Sequence, residues 1–351
     1  MSRLAGLTWI AEADDDRAVE AAGRLVAIAD NGSRFVVVGV IDRGPDRDGT
    51  VLTSDDGATW APVSDDSAFV GVDVADVTVG GPGFVAIGTT SGDPSVGATS
   101  DVAIVTSTDG LAWRRIPPDP VFADAYAGSI TAYGDRLIVH GSSDAAGSVP
   151  VWTSADGFSW ERADAGRSMA VVIVGPSGWL GGAADGNADD ATAAMFRSTD
   201  GLAWARTDLP VETATSGRAR AVLDITIGPR GVVARGIASA GCGFGASCAA
   251  FPVAWWSSDG VDWGLLPHLE GPLGSSAASI AAMDGLGFIG VGGRAAWYSP
   301  DGWAWTTLDA PPSDGDVVDV VIRDDVLVAV GGRYTATGAS LGWLGVARLH
   351  R

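Results

Sequence analysis

The strongest constraint on this chain is a string, Ser-x-Asp-Gly-x-x-Trp, that recurs six times without a gap. The copies run from Ser54 to Trp60, Ser107 to Trp113, Ser154 to Trp160, Ser198 to Trp204, Ser257 to Trp263 and Ser299 to Trp305. Each joins turn chemistry to an anchor. Asp-Gly favours a tight hairpin, because Gly accepts φ > 0 and the Asp carboxylate accepts bonds from nearby backbone N–H groups. The Ser hydroxyl adds a further local bond, and Trp enters the next strand as a large apolar group. Repetition at spacings of roughly 40 to 60 residues marks a supersecondary unit that buries its apolar faces only by stacking on its neighbours. The Ser, Asp and Gly of these strings therefore read as fold chemistry rather than catalysis.

Around each string the same strand pattern returns. Two places ahead of the Ser stands a large apolar residue: Leu52, Val105, Trp152, Phe196, Trp255 and Trp297. Upstream lies an apolar strand closing on Gly, as at 84–88, 288–292 and 327–331, preceded by another, as at 74–79 or 223–227. Continuous apolar runs indicate strands covered on both faces. Beyond Trp305 three strands follow, near 317–322, 326–331 and 343–349, with no seventh string. Its surviving half stands at the other end, where Gly6 and Trp9 match Gly110 and Trp113. The expectation is an all-β, seven-bladed β-propeller of four-stranded antiparallel blades, one domain over 1–351. Its N-terminal strand completes the last blade and leaves no open edge.

These strings resemble the box of the Asp-box (BNR-repeat) propellers, shortened by one residue. That family includes sialidases, other glycoside hydrolases and many non-enzymatic propellers. The resemblance covers nearly the whole chain and implies a binding mouth on the face opposite the box hairpins. Loops entering each innermost strand and loops joining second to third strands would form it; the latter span 41–49, 89–101, 142–149, 183–193 and 239–252. Long loops on a rigid scaffold are where function concentrates; insertions tolerated on a stable ring are the competing reading. Sialidase chemistry would need three arginines on a carboxylate, a Tyr activated by Glu, and an acidic Asp. With four Tyr and five Glu in the sequence, no Tyr–Glu pair emerges. Arg114-Arg115-Ile116-Pro117 resembles the family's Arg-Ile-Pro string but follows a box instead of preceding the first, and Tyr298 stands directly before a box. The reading is a non-enzymatic binding or interaction propeller holding a carbohydrate, peptide or protein at its mouth. A glycoside hydrolase of sialidase type is the alternative.

Repeat alignment singles out further residues. Asp76, Asp224 and Asp319 each lie twelve residues before the closing Gly of their blade, at equivalent points of three innermost strands. A ring of carboxylates there suits a cation or a water network, or bonds to backbone amides. His140 and Arg235 fill a slot that is apolar in other blades, which makes each a ligand-binding candidate at the mouth or a structural residue hydrogen-bonded to a neighbour. Asp185, Asn187 and Asp189 set oxygen ligands at alternate positions as calcium loops do, without the distal Glu of an EF-hand; a solvated loop is the competing reading. No other cofactor is expected.

Charge bounds the partners. All 22 basic residues are Arg, against 43 acidic ones, for a net charge of −21. That field repels polyanions, which argues against nucleic acid and anionic membranes. No apolar run reaches the length of a membrane span. Cys242 and Cys248, with five residues between them, fit either a small disulfide ring or two free thiols. A disulfide would indicate an exported protein without its leader; Met1-Ser2-Arg3 itself begins no signal peptide, which otherwise points to the cytoplasm. A monomer is expected.

Overall fold

The computed structural model describes residues 4–12, 17–43, 46–90, 100–133, 135–143, 150–164, 169–175, 178–185, 192–199, 203–210, 217–240, 250–266, 278–292, 294–311, 316–334 and 340–350. Their strands form seven four-stranded antiparallel sheets set as the blades of a propeller. From channel to rim, blade one is Arg24–Asp30, Phe35–Arg43, Asp46–Ser54 and Ala61–Pro62. Blade two is Val72–Gly80, Gly83–Thr90, Asp101–Ser107 and Arg114–Arg115. Blade three is Ala125–Tyr133, Arg136–Ser143, Pro150–Ser154 and Glu161–Asp164. Blade four is Met169–Gly175, Gly178–Asp185, Thr192–Ser198 and Ala205–Asp208. Blade five is Gly217–Gly228, Gly231–Ala240, Ala250–Ser257 and Gly264–Leu265. Blade six is Ala278–Met283, Gly287–Gly292, Ala295–Ser299 and Thr306–Leu308. Blade seven is Asp316–Arg323, Val326–Tyr334, Ser340–His350 and, from the other end of the sequence, Gly6–Glu12.

The repeated strings build the turn between third and fourth strands. In the five copies whose turn is described, the Ser Oγ accepts the Gly N–H at 2.8–2.9 Å. One Asp oxygen accepts the next two backbone N–H groups at 2.7–3.2 Å. The Gly takes φ of 77° to 81°, which side-chain-bearing residues rarely adopt. These amides hold the carboxyls of Asp56, Asp109, Asp156 and Asp259 below the usual Asp range. In the first three copies the Trp indole N–H donates to the Gly carbonyl at 2.9–3.2 Å. In the fourth copy, residues 200–202 lie outside the described residues.

Packing follows from the two-faced apolar strands. Seven apolar clusters each occupy one seam between neighbouring blades. One joins Leu25, Phe35 and Leu52 of blade one to Val328, Val330 and Leu344 of blade seven. Another joins Leu327 and Trp343 of blade seven to Ile289 and Val291 of blade six. The other five fill the remaining seams in turn. Blade seven closes as the sequence implies: Trp9 pairs with Ala347, the register a box Trp takes opposite its Ser. Its indole donates to the Asp309 carbonyl at 2.9 Å, tying the first strand to the end of blade six.

The hairpins between first and second strands share a face with the boxes of the following blade. Arg34 Nη1 of blade one donates to the Asp109 carbonyl in the box of blade two at 2.6 Å. Pro82 of blade two lies beside Gly157 in the box of blade three. The connections from second to third strand, and the entries to each innermost strand, therefore gather on the opposite face. One of these is less loop than expected, since within 41–49 the backbone continues as a paired hairpin, with Arg43 opposite Asp46.

Trp9→Ala should lower the unfolding free energy by about 3 kcal/mol, within the range for truncating a packed aromatic, read from a denaturant midpoint at unchanged slope. A midpoint equal to that of the parent would mean that the first strand does not hold the ring.

Candidate functional site

Six of the seven innermost strands carry a β-bulge at equivalent points. The extra residues are Val26, Ala75, Gly128, Ala170, Leu223 and Val318. A bulge re-aims side chains and unpairs the extra residue, and here Val26, Ala75, Leu223 and Val318 line the channel cavities. Leu223 and Val318 are 49% and 42% exposed, and with Val26 and Ala75 they line the two cavities as an aliphatic collar on the mouth side of the channel. Sequence reading passed over this collar, though a signal was present. The spacing of buried apolar residues slips from two to three at each bulge, as in Val72, Val74 and Val77 or in Val317 and Val320.

Directly after the bulge stands the position of Asp76, Asp224 and Asp319, occupied by Ser129 in blade three. Two of the three aspartates act between blades. Asp76 accepts its own Val77 N–H at 2.7 Å and the Ile130 N–H of blade three at 2.9 Å. Asp319 accepts Val320 N–H at 2.8 Å and the Ile28 N–H of blade one at 3.0 Å. The third aspartate differs. Asp224 Oδ2 takes both Nε and Nη2 of Arg235, at 3.1 and 2.5 Å, so two of the sequence candidates meet as one ion pair on the channel wall.

His140 is a strut of the same kind. Its Nε2–H donates to the Ala170 carbonyl of blade four at 2.9 Å, which leaves Nδ1 to accept the Ser129 hydroxyl at 2.9 Å. Burial keeps the imidazole below its ordinary pKa, and thus neutral. Thr131 and Thr226 add bonds to the carbonyls of Val172 and Ile280 in the next blades. The polar groups lining this channel level are thus largely engaged in holding blade to blade.

Burial dominates the electrostatics of the two strut aspartates. It pushes the Asp76 carboxyl up to about 7, against the lowering effect of the Ile130 amide, with the charge of Asp319 adding to the rise. Asp319 is pushed up to about 6 by burial, against the Ile28 and Val320 amides, with Asp224 adding. Both residues keep partial solvent exposure, so their protons exchange with solvent.

Two cavities open here. The larger, of about 870 Å³, follows the channel past Leu223, Asp224, Arg235, Ser279, Val318 and Asp319. The smaller, of about 610 Å³, lies at the mouth over blades one to three, where Arg24, Arg47, Asp73, Thr89, Thr90 and Tyr126 line it. Val318 borders both. Elsewhere, Asp185 receives Arg206 Nε at 2.7 Å, while Asn187, Asp189, Cys242 and Cys248 lie outside the described residues. Among the described residues no group of three or more His, Cys, Asp or Glu is arranged to hold a metal ion. No helix there is long and apolar enough to cross a membrane. Tyr298 donates its hydroxyl to the Leu286 carbonyl at 2.8 Å and is buried, which removes it as a nucleophile.

No family model and no curated protein matches the chain. Among solved structures it is similar to an α-L-arabinofuranosidase from Fusarium graminearum, 12% identical with a TM-score of 0.55 over 99% of this chain and 98% of that one. It is similar to YCF48 bound to D1 peptide, 15% identical with a TM-score of 0.57 over 98% and 94%. Virginiamycin B lyase from Staphylococcus aureus is 10% identical with a TM-score of 0.56 over 98% and 99%. Hydrolase, peptide-bound protein and lyase share this fold, so the likeness speaks for architecture alone.

The pKa pattern gives a signed expectation. An unfolded Asp loses its proton near about pH 4. Between there and about pH 7 the folded chain therefore holds protons at Asp76 and Asp319 that the unfolded chain has lost, and stability rises as pH falls. His140 works in the opposite sense below about pH 6.5, and the box aspartates do so below about pH 4. Replacing both strut residues, Asp76→Asn and Asp319→Asn, should flatten the decline in unfolding free energy between about pH 5 and pH 8. A variant whose decline matches that of the parent would contradict this assignment.

Proposed function

We propose that this chain is an Asp-box propeller, one domain over its whole length, that binds a segment of polypeptide at the mouth of its channel without turning it over. The carrying observation is the aliphatic collar: Leu223 and Val318 are exposed large side chains beside two cavities, and exposed apolar groups rimmed by polar ones mark interaction sites. Sugar rings prefer aromatic platforms, whereas the described box tryptophans pack into the seams. Tyr126 is the aromatic side chain lining the smaller cavity. In this reading Asp224 and Arg235 offer polar contacts below the collar, and Asp76, Asp319 and His140 keep the ring rigid beneath the ligand. No cofactor takes part. YCF48 bound to D1 peptide, similar in fold at 15% identity, supports this reading. Two features weigh against the glycosidase alternative: the buried Tyr298, and two cavities whose described linings contain no Glu.

Selection of a random displayed peptide library on the immobilised protein should enrich binders. Val318→Asp and Leu223→Asp should each weaken them by roughly tenfold or more, about 1.4 kcal/mol, with the melting temperature unchanged. Enriched peptides that bind both variants as they bind the parent would remove the collar from the site. Retention on a glycan array with no peptide enrichment would favour a sugar.

A further inference from the structure

We infer that the smaller cavity is a carboxylate-binding subsite whose cation is Arg24. The inference rests on the reading of the mouth as a polypeptide site and adds the ligand chemistry it recognises. Arg24 and Arg47 are the cations that line this cavity. The nearby charges are already matched. Arg47 holds Asp73 at 2.5 Å and Asp42 at 3.1 Å, and Arg333 holds Glu20 at 3.0 Å. Arg24 is half-buried and, among the described residues, its guanidinium has neither a hydrogen-bond nor an ion-pair partner. The cavity thus holds, beside the paired Arg47 and Asp73, one arginine with no carboxylate partner among the described residues.

The guanidinium is also positioned. A Cβ at Gly332 would stand 3.3 Å from Arg24 Cγ, so the bare glycine lets the stem lie close against blade seven. A second donor lines the same cavity. Thr89 Oγ1 accepts the Ala127 N–H at 3.0 Å, which leaves its own O–H to donate. Guanidinium and hydroxyl suit a planar acceptor with two oxygens, while Val26, Ala75 and Val318 meet the apolar part of the same ligand. A single carboxylate suits this site better than a polyanion, because the field of the whole molecule opposes dense negative charge. The carboxylate is supplied either by the free C-terminus of a peptide or by an Asp or Glu side chain.

The test uses four pools of random synthetic peptides, with free or amidated C-termini and with or without Asp and Glu. Each is equilibrated with the full-length protein as the parent, Arg24→Gln, Arg24→Lys and Val318→Asp. Retention should fall roughly tenfold in Arg24→Gln and recover in part in Arg24→Lys, with the melting temperature of both equal to that of the parent. Loss on amidation assigns the carboxylate to the C-terminus, and loss on omitting Asp and Glu assigns it to side chains. Equal retention by parent and Arg24→Gln, or of the amidated pool lacking Asp and Glu, overturns the inference. If that retention still disappears in Val318→Asp, the mouth remains the binding site. No retention of any pool by the parent overturns both readings.

Discussion

A β-sheet that is apolar on both faces has no surface it can leave in water, and every blade of this protein is such a sheet. Burying both faces requires a neighbour on each side, and only a closed ring provides one for all seven blades. The seven seam clusters are the direct expression of that requirement. At about 25 cal/mol per Å² of apolar surface buried, opening one seam exposes two faces at once. The pairing of Gly6–Glu12 with Ser340–His350 gives blade seven its fourth strand, and the end strands also feed residues such as Leu4, Leu7 and Trp343 into the last seam.

Closure creates the channel, and the channel creates a second problem: innermost strands converge with no side-by-side hydrogen bonding between blades. The molecule answers with side chains that reach across. Asp76 and Asp319 bond the next blade's amides; His140 and Thr131 bond the next blade's carbonyls. The bulge preceding Asp76 and Asp319 does two things. It aims the following polar side chain at its neighbour, and it turns the bulged aliphatic residue out toward the mouth. The collar and the two carboxylate struts therefore share an origin, an added residue in the innermost strand. This links the ring's rigidity to the site it presents, since a ligand on the collar rests on the residues adjoining those struts.

Much of this was legible in the sequence, unevenly so. The strings set the turn, the strand order and the blade count because their chemistry is local: Ser, Asp and Gly bond within four residues of one another. Trp9 was recognisable because it keeps its spacing from Gly6. The equivalence of Asp76, Asp224 and Asp319 was legible too, but their divergent roles were not. Asp224 turns to Arg235 in its own blade while the others cross a seam, and partners in another blade leave no local pattern. The collar was present as a slip in apolar spacing that alternation-seeking overlooks. Arg24 carries no sequence signal, because having no partner is a property of the folded neighbourhood.

The most direct test of the closed ring is a crosslink between its two ends. Thr8 and Arg348 stand opposite each other in the antiparallel pair of blade seven, a separation a disulfide spans without backbone movement. Thr8→Cys with Arg348→Cys, in a variant whose Cys242 and Cys248 are replaced by Ser, should oxidise to a monomer with one internal bond. A protease cut in a loop would then leave its two fragments covalently joined. Crosslinked dimers, or free thiols that persist under oxidant, would contradict closure of the ring by the protein's own first strand.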